Sequence, residues 1–507
     1  MITNILTYLD NNALRFPDKI AIADDKSTLT FAEWKHYAEV IGTALCDTFG
    51  QQMRKPVLVF VDRRIEGLVG FMGVVESGNF YVPIDSKMPD QRIKLIIDVL
   101  NPIAAITTTI ADEKKLKSID FNGVVLQYDI IKNNNVNIRC LTEVRSKAID
   151  TDPLYAIFTS GSTGVPKGVV ISHRGVIDLA EWLVDTFDFD ETDVLGNQTP
   201  FYFDGSVKDI CICLKSGATL NIIDRKYFSF PKLLIKYLND RQITSILWAT
   251  SAIILIGNSN ILDENIPQFI KRVTFAGEAM PAKQLKVWMR KLPVAKFYNL
   301  YGPTEITVDC TYYEVKREFN DNEYIPIGCH CANKEVLVFN ENNELVKVGE
   351  PGELCVRGTG VALGYYNNPE KTQEVFVQNP LHNFYEDKIY RTGDIVRYNE
   401  RGEIEFVARK DFQVKHNGNR IELGEIEVVI NSLPDVSIAT CIFDQYNDLI
   451  ILYYTSNSGE ELDIINQIKD KLPKYMFPNG IIHLSEMPYN MNGKVDRIEL
   501  KRRYETK

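Results

Sequence analysis

Histidine is scarce, six in 507 residues, and the nine cysteines are scattered without one C-x-x-C pair; the closest spacings are Cys211 with Cys213 and Cys329 with Cys331. Such a pattern offers neither a zinc-type cage nor a disulfide framework, and the cysteines read as buried, reduced thiols. Also missing is any apolar run near the roughly 20 residues that a membrane-spanning helix needs. The N-terminus, MITNILTYLDNNALRFPDK, lacks the basic start and apolar core of a secretory leader. Positive charge is not in excess either. A formal net charge of -11 argues against nucleic acid or an anionic membrane as partner, while leaving room for a local basic pocket. These absences leave a cytoplasmic globular protein. At 507 residues it exceeds what one hydrophobic core usually serves, so a large domain with a smaller one is expected.

What is present centres on YAIFTSGSTGVPKGVV, residues 155–170. Two apolar runs with the look of short strands flank a loop carrying the hydroxyls of Thr159, Ser160, Ser162 and Thr163, the glycines Gly161 and Gly164, and one cation, Lys167. Successive Gly and Ser amides can turn inward as an anion nest, so the unit reads as a phosphate cradle. An ordinary hairpin loop also contains Gly, Ser and Thr for turn chemistry alone. The segment is not a Walker A loop, because Pro166 precedes Lys167 and Gly168 follows it.

The remaining chain alternates short apolar runs with helical spacing. Runs at 56–61, 81–84 and 104–108 read as strands with helices at 65–75 and 92–100 between them. A more polar connector, 114–144, leads into the cradle, and Ser172 stands where it could cap the helix that follows. Strands at 219–223, 244–248, 273–276 and 296–300, with helices at 206–214, 231–239 and 282–290, repeat the plan. The expected class is therefore α/β: two α/β layers built on parallel sheets. A Gly- and turn-rich β subdomain follows over about 325–407, where GEPGELCVRG and YNERGEIEFVAR look like hairpins. The apolar pattern breaks at Arg409, Lys410 and Asp411, giving a large domain 1–410 and a small α+β domain 411–507. No carrier-like segment follows KRRYETK, so any carrier is expected to be a separate chain.

Five stretches occur in a fixed order: TSGSTGVPKGV, YGPTE at 301–305, YRTGD at 390–394, RKDFQVKHNGNRIELGEIE at 409–427 and NGKVDR at 492–497. Together they resemble the motifs of the adenylate-forming superfamily, which includes amino-acid adenylation domains of non-ribosomal peptide synthetases, D-alanine:carrier-protein ligases, acyl-CoA synthetases and beetle luciferases. The resemblance covers nearly the whole chain. It implies ATP and Mg2+ as cofactors, with the cradle on the triphosphate, Glu305 on the metal and Thr304 at the α-phosphate. Tyr301 would stack on adenine, with Asn299, Gly277 and Glu278 along its edge, and Asp394 and Arg409 would hold the ribose. Lys494 matches the lysine that bridges the attacking carboxylate and the α-phosphate. Lys415 and Gly418 match the segment presented for the second half-reaction, and Asp411 matches the hinge about which a mobile small domain turns.

FDGSVKD, 203–209, narrows the substrate. Amino-acid-activating members of the superfamily carry an aspartate at the position of Asp204, where it pairs with the substrate ammonium; capping of the following helix is the alternative use of that side chain. By the same resemblance Gly205, Lys208, Leu247, Thr274, Ala276, Leu300, Val308 and Asp309 line the side-chain pocket. A buried Lys208 needs a partner. Either an acidic or amide substrate supplies it, which the resemblance favours because glutamate-activating members also combine a lysine and an aspartate at these two positions, or Asp309 does and the substrate is small and neutral. The implied reaction is activation of a free amino acid as aminoacyl-AMP, then transfer to a phosphopantetheine thiol on a separate carrier protein. An acyl-CoA ligase and a non-catalytic nucleotide-binding protein are the rival readings. D-alanine ligases place cysteine where this chain has Ala276, which speaks against D-alanine.

Overall fold

The computed structural model describes residues 2–160, 165–321, 323, 325–410, 413–489 and 495–505. Its architecture starts from the apolar runs. Pro56–Val61, PVLVFV, is buried at every position, as a strand covered on both faces must be. It pairs in parallel with Phe80–Asp85 and Ala104–Thr107, and the latter pairs with Val124–Gln127. On the other side Phe80–Asp85 meets β1 (Pro153–Thr159), which turns back antiparallel into β2 (Lys167–Ser172); Gly364–Tyr365 closes the edge of this seven-stranded sheet. The polar connector before β1 folds as helices Ile110–Ser118 and Ile138–Arg145 around Val124–Gln127. Ser172 does cap the next helix, its hydroxyl accepting from the Gly175 amide at 3.3 Å.

The second sheet has nine strands. Val194–Asn197 and Thr219–Ile222 lie on either side of helix α1 (Gly205–Ser216) in sequence, followed by β3 (Ser245–Ala249), β4 (Arg272–Ala276) and β5 (Lys296–Tyr301). These five and the N-terminal Ile20–Ala23 are mutually parallel, and antiparallel strands flank them at both edges. One cluster joins residues of both sheets, including Val57, Tyr155, Leu247 and Leu300. Burying such side chains contributes about 1.5–3 kcal/mol each. The two-layer α/β class is thus observed.

A five-stranded β unit follows. YNERGEIEFVAR does form a hairpin, between β6 (Lys388–Tyr398) and β7 (Ile404–Arg409). GEPGELCVRG differs: Gly352–Gly358 is a single strand pairing with Lys334–Phe339, so the reversal lies upstream, where the Asn340 side chain holds the turn through the Asn342 and Glu344 amides. From residue 413 the chain builds a hairpin of β8 (Gln413–His416) and β9 (Asn419–Glu422), helix Leu423–Asn431 and a three-stranded sheet. Its apolar side chains form clusters drawn only from this stretch, among them Ile421, Ile426 and Leu452.

All nine cysteines are free. Seven are buried, but Cys140 is half-buried on a short peripheral helix and Cys329 is exposed on an edge strand, so the expectation of burial fails at these two. Among the described residues no helix is long and apolar enough to cross a membrane.

Candidate active site

The ends of β1 and β2 bring the two described flanks of the cradle together. Thr159 and Lys167 are register partners, and the Thr159 hydroxyl is buried without a hydrogen-bond partner among the described residues. Such an orphaned donor fits a phosphate oxygen. Ser160 is engaged twice: its hydroxyl donates to the Arg420 carbonyl and accepts from the Glu422 amide, both at 3.0 Å. The Lys167 ammonium lies 3.6 Å from the Glu422 carboxylate and over the Tyr365 ring. Burial, and then Arg420, push the Lys167 ammonium below its ordinary value. Gly161, Ser162, Thr163 and Gly164 lie outside the described residues.

Beyond β5 the chain makes a tight turn at Gly302, where a Cβ would stand 2.3 Å from the Val308 carbonyl oxygen. A 3-10 turn, Thr304–Ile306, then buries Glu305 completely. One Glu305 oxygen accepts from the Tyr365 hydroxyl at 2.8 Å and the other from Arg420 at 2.6 Å. Burial alone would raise this carboxyl, but the Arg420 guanidinium and Lys167 bring it down to about 2, so it is an anion throughout the neutral range. Among the described residues no three His, Cys, Asp or Glu side chains cluster as a metal cage. A single buried carboxylate beside a phosphate cradle instead suits Mg2+, which is commonly held by one or two carboxylates together with substrate phosphates.

A cavity of about 1370 Å³ opens beside this turn, lined by Gly277, Glu278, Asn299, Leu300, Tyr301, Asp394, Arg409 and Lys415. Asp394 on β6 faces Arg409 on β7 and accepts from it at 2.8 Å; its second oxygen accepts from the Tyr301 hydroxyl. The Asn299 amide is committed to the carbonyls of Ile325 and Pro326, so it braces the cavity wall. Lys415 reaches in from β8 with its ammonium 5.4 Å from the Tyr301 ring centre, and burial lowers its pKa. At the hairpin tip the Gly418 amide, in the left-handed region at φ 78°, donates to Glu278 at 2.6 Å. Burial raises the Glu278 carboxyl to about 7, with Gly418 pulling the other way.

On the far side of Thr304 lie the positions expected to meet a substrate. Asp204 occupies the cap position of α1, yet its backbone is helical and its side chain makes no capping bond. The carboxylate faces Thr304, whose hydrogen bond favours the anion, while burial raises its pKa. Register places Leu247 beside Thr274 and Ala276 beside Leu300 on adjacent strands, so all four share one face of the sheet. Gly205 begins α1, and Lys208, one turn on, lies 3.5 Å from Asp309. Their side chains are 5% and 2% exposed. Thr307 and Val308 before Asp309 both have left-handed backbones, φ 58° and 70°, an uncommon conformation for a β-branched residue.

Sequence reasoning missed Arg420, Glu422, Tyr365 and Lys334, whose ammonium donates to the Asp309 carbonyl at 2.5 Å. Arg420 and Glu422 stood inside a quoted motif, but nothing local to it pointed to partners more than 100 residues away. Asp411 and Lys494 lie outside the described residues; Tyr489 and Val495, on either side of the latter, form a β-bridge.

Two α/β layers, a β unit and a small α+β C-terminal part bring these residues together. A family model described as AMP-binding enzyme matches residues 9–366, and the chain belongs to that family, as an adenylate-forming enzyme of the non-ribosomal peptide synthetase type. Bacitracin synthase 1 of Bacillus licheniformis is 32% identical over 495 residues, 97% of this chain but 9% of that protein. Zwittermicin A synthase ZmaJ of Bacillus cereus is 31% identical over 98% of this chain and 94% of its own length. Among solved structures, NpsA-ThdA, an artificially fused adenylation-PCP di-domain from Klebsiella oxytoca, aligns with a TM-score of 0.81 at 22% identity, covering 95% of this chain and 94% of that one. The chain thus spans a small part of some relatives and nearly the whole of another.

Proposed function

We propose that the protein uses ATP to activate an amino acid as aminoacyl-AMP, releasing pyrophosphate, and then passes the acyl group to the phosphopantetheine thiol of a carrier protein. The observation that carries this reading is Asp204: a carboxylate at a helix start that does no capping, facing Thr304 next to the buried Glu305. An ammonium is the partner such a carboxylate would take, since the Lys208 ammonium acting on it is paired with Asp309, and Thr304 would join the substrate end to the phosphate end. Mg2+ bound at Glu305 would neutralise the phosphates and assist departure of pyrophosphate. Tyr301, Asp394 and Arg409 would hold the nucleoside, while Lys494 would stabilise charge at the α-phosphate during adenylation. Lys415 would serve the transfer step. Residues 411–507 then act as a small domain turning about Asp411, a division supported by their separate apolar clusters. A cytoplasmic setting accords with nine free thiols.

The Lys208–Asp309 pair supports a small neutral side chain. Each charge has the other as partner, and both groups are almost sealed from solvent. A substrate carboxylate meeting Lys208 would stand against Asp309 as well. Amino-acid-dependent exchange of pyrophosphate into ATP, run over a panel of amino acids with free coenzyme A as a control acceptor, tests both levels. Exchange with small neutral residues and none with glutamate, glutamine or aspartate is expected. Preferred activation of glutamate would assign Lys208 to the substrate, and activation of simple carboxylic acids alone would return the chain to the acyl-CoA ligases.

A further inference from the structure

The free thiols differ in what surrounds them. Cys310 and Cys331 are neighbours, the Cys331 amide donating to the Cys310 carbonyl at 2.8 Å, but both are sealed at 0% exposure. Cys329 is exposed on its edge strand. Cys46 and Cys140 combine proximity with access. Cys46 is buried on the helix Phe31–Phe49, whose core-facing side chains include Trp34, Ile41 and Leu45; Cys140 is half-buried on the peripheral helix Ile138–Arg145. Asn137, which caps the shorter helix, sets the two against each other. Its side chain accepts from the Cys140 amide at 3.2 Å, and its own amide donates to the Thr43 hydroxyl at 3.0 Å. Cys46 follows Thr43 by three residues, and Cys140 follows Asn137 by three, so the contact that aligns the helices also brings the thiols together one turn further on. The thiols share a hydrogen bond, with Leu141, Val144 and Met53 packed around them. Burial, and after it that hydrogen bond, push the Cys46 thiol above its ordinary value. Cys46 is therefore shielded and protonated, and Cys140 is the member that an oxidant reaches.

We propose that Cys46 and Cys140 form a reversible oxidation site, lying apart from the adenylating centre and taking a hydroperoxide as its oxidant. The Cys140 sulfur attacks the peroxide, the O–O bond breaks, and Cys140 becomes a sulfenic acid as an alcohol leaves, or water where the oxidant is hydrogen peroxide. The Cys46 sulfur then attacks the sulfenic sulfur; the S–S bond forms, and the hydroxyl departs with the Cys46 proton as water. An electron pair has passed from the thiols to the peroxide, and a thiol reductant returns it. Because the resolving thiol is already in contact, Cys140 is diverted from the irreversible sulfinic and sulfonic acids. The bridge ties the polar connector that leads into β1 to the core-facing helix.

The full chain, reduced, treated with hydrogen peroxide at a dose that oxidises the exposed Cys329, alkylated and digested, tests the proposal. Wild type should yield a peptide joining Cys46 to Cys140, lighter by two hydrogens and reversed by a thiol reductant, and amide exchange over 138–145 should slow on oxidation. Cys46→Ser should form no such bridge and should accumulate a dimedone-trapped sulfenic acid at Cys140 that is scarce in wild type. Cys140→Ser should leave Cys46 reduced. Both variants should keep the pyrophosphate exchange of the reduced wild type. Oxidation of Cys329 with Cys46 and Cys140 still reduced in wild type overturns the proposal. So does a bridge from Cys140 to another cysteine in place of Cys46, or equal trapping at Cys140 with and without the Cys46 thiol.

Discussion

At Gly302 the close approach is to a backbone atom, the Val308 carbonyl oxygen, which cannot swing aside as a side chain would. Gly302→Ala should therefore destabilise the protein by about 1–3 kcal/mol, read from the denaturant midpoint, and reduce pyrophosphate exchange because the turn carries Glu305. A fully stable, fully active variant would show that the turn has slack. Asp204→Ala makes a sharper demand. If Asp204 holds the ammonium, exchange with every amino acid should fall by orders of magnitude while ATP binding, followed by calorimetry, stays close to wild type. Retained activation of amino acids by that variant would remove the basis of the proposed substrate class. Lys208→Met removes one member of a buried pair and leaves Asp309 uncompensated, so it should lower stability before it alters preference.

Among elements, the β8–β9 hairpin has the clearest separable role. Lys415→Ala should leave exchange near wild type and slow acyl transfer to a carrier, whereas Lys494→Ala should do the reverse; equal damage to both steps by either variant would contradict a division of labour. The hairpin's contact with Glu278 also has a pH sign. Burial holds that carboxyl at about 7 in place of its ordinary 4.5, against the pull of Gly418, Lys415 and His416 and with the help of Asp448. Where the docked hairpin supplies that burial, docking takes up a proton, and its stabilisation is full below the ordinary value and is lost as pH rises through about 7. Protection of the Gly418 amide, corrected for intrinsic exchange, should fall between pH 5 and 8, roughly the window those two values set, and Glu278→Gln should flatten the dependence.

Much of this architecture was legible because its information is local. PVLVFV reads as a strand from its own six residues, and Ser172 as a cap from its neighbour helix. The strand, loop, strand frame around residues 159–167 was legible from its pattern. What escaped was pairing at a distance: Ser160 with Arg420 and Glu422, and Arg92 with Glu425, join residues far apart in sequence through the approach of two separately cored parts. GEPGELCVRG misled because its glycines sit at a strand entrance, after the reversal.

On the scale of the whole molecule, the contacts between the C-terminal part and the rest include polar anchors at Arg92 on Glu425, Arg420 on Glu305, Gly418 on Glu278 and Ser160 on the β9 main chain. The Arg92–Glu425 pair is almost fully buried, 4% and 0% exposed, so Arg92→Met should favour the separated arrangement. Small-angle scattering should then give a larger radius of gyration than wild type, with pyrophosphate exchange retained. An unchanged radius would mean that the remaining anchors suffice.

Every position expected to read the substrate side chain, from Asp204 to Asp309, precedes the C-terminal stretch, whose apolar clusters are its own. On the proposed reading selectivity is written before residue 410 alone, whereas docking draws on both portions of the sequence. Recombining this chain at its 410–413 junction with a relative's C-terminal stretch should yield hybrids that inherit their amino acid from one parent and their manner of handing it on from the other.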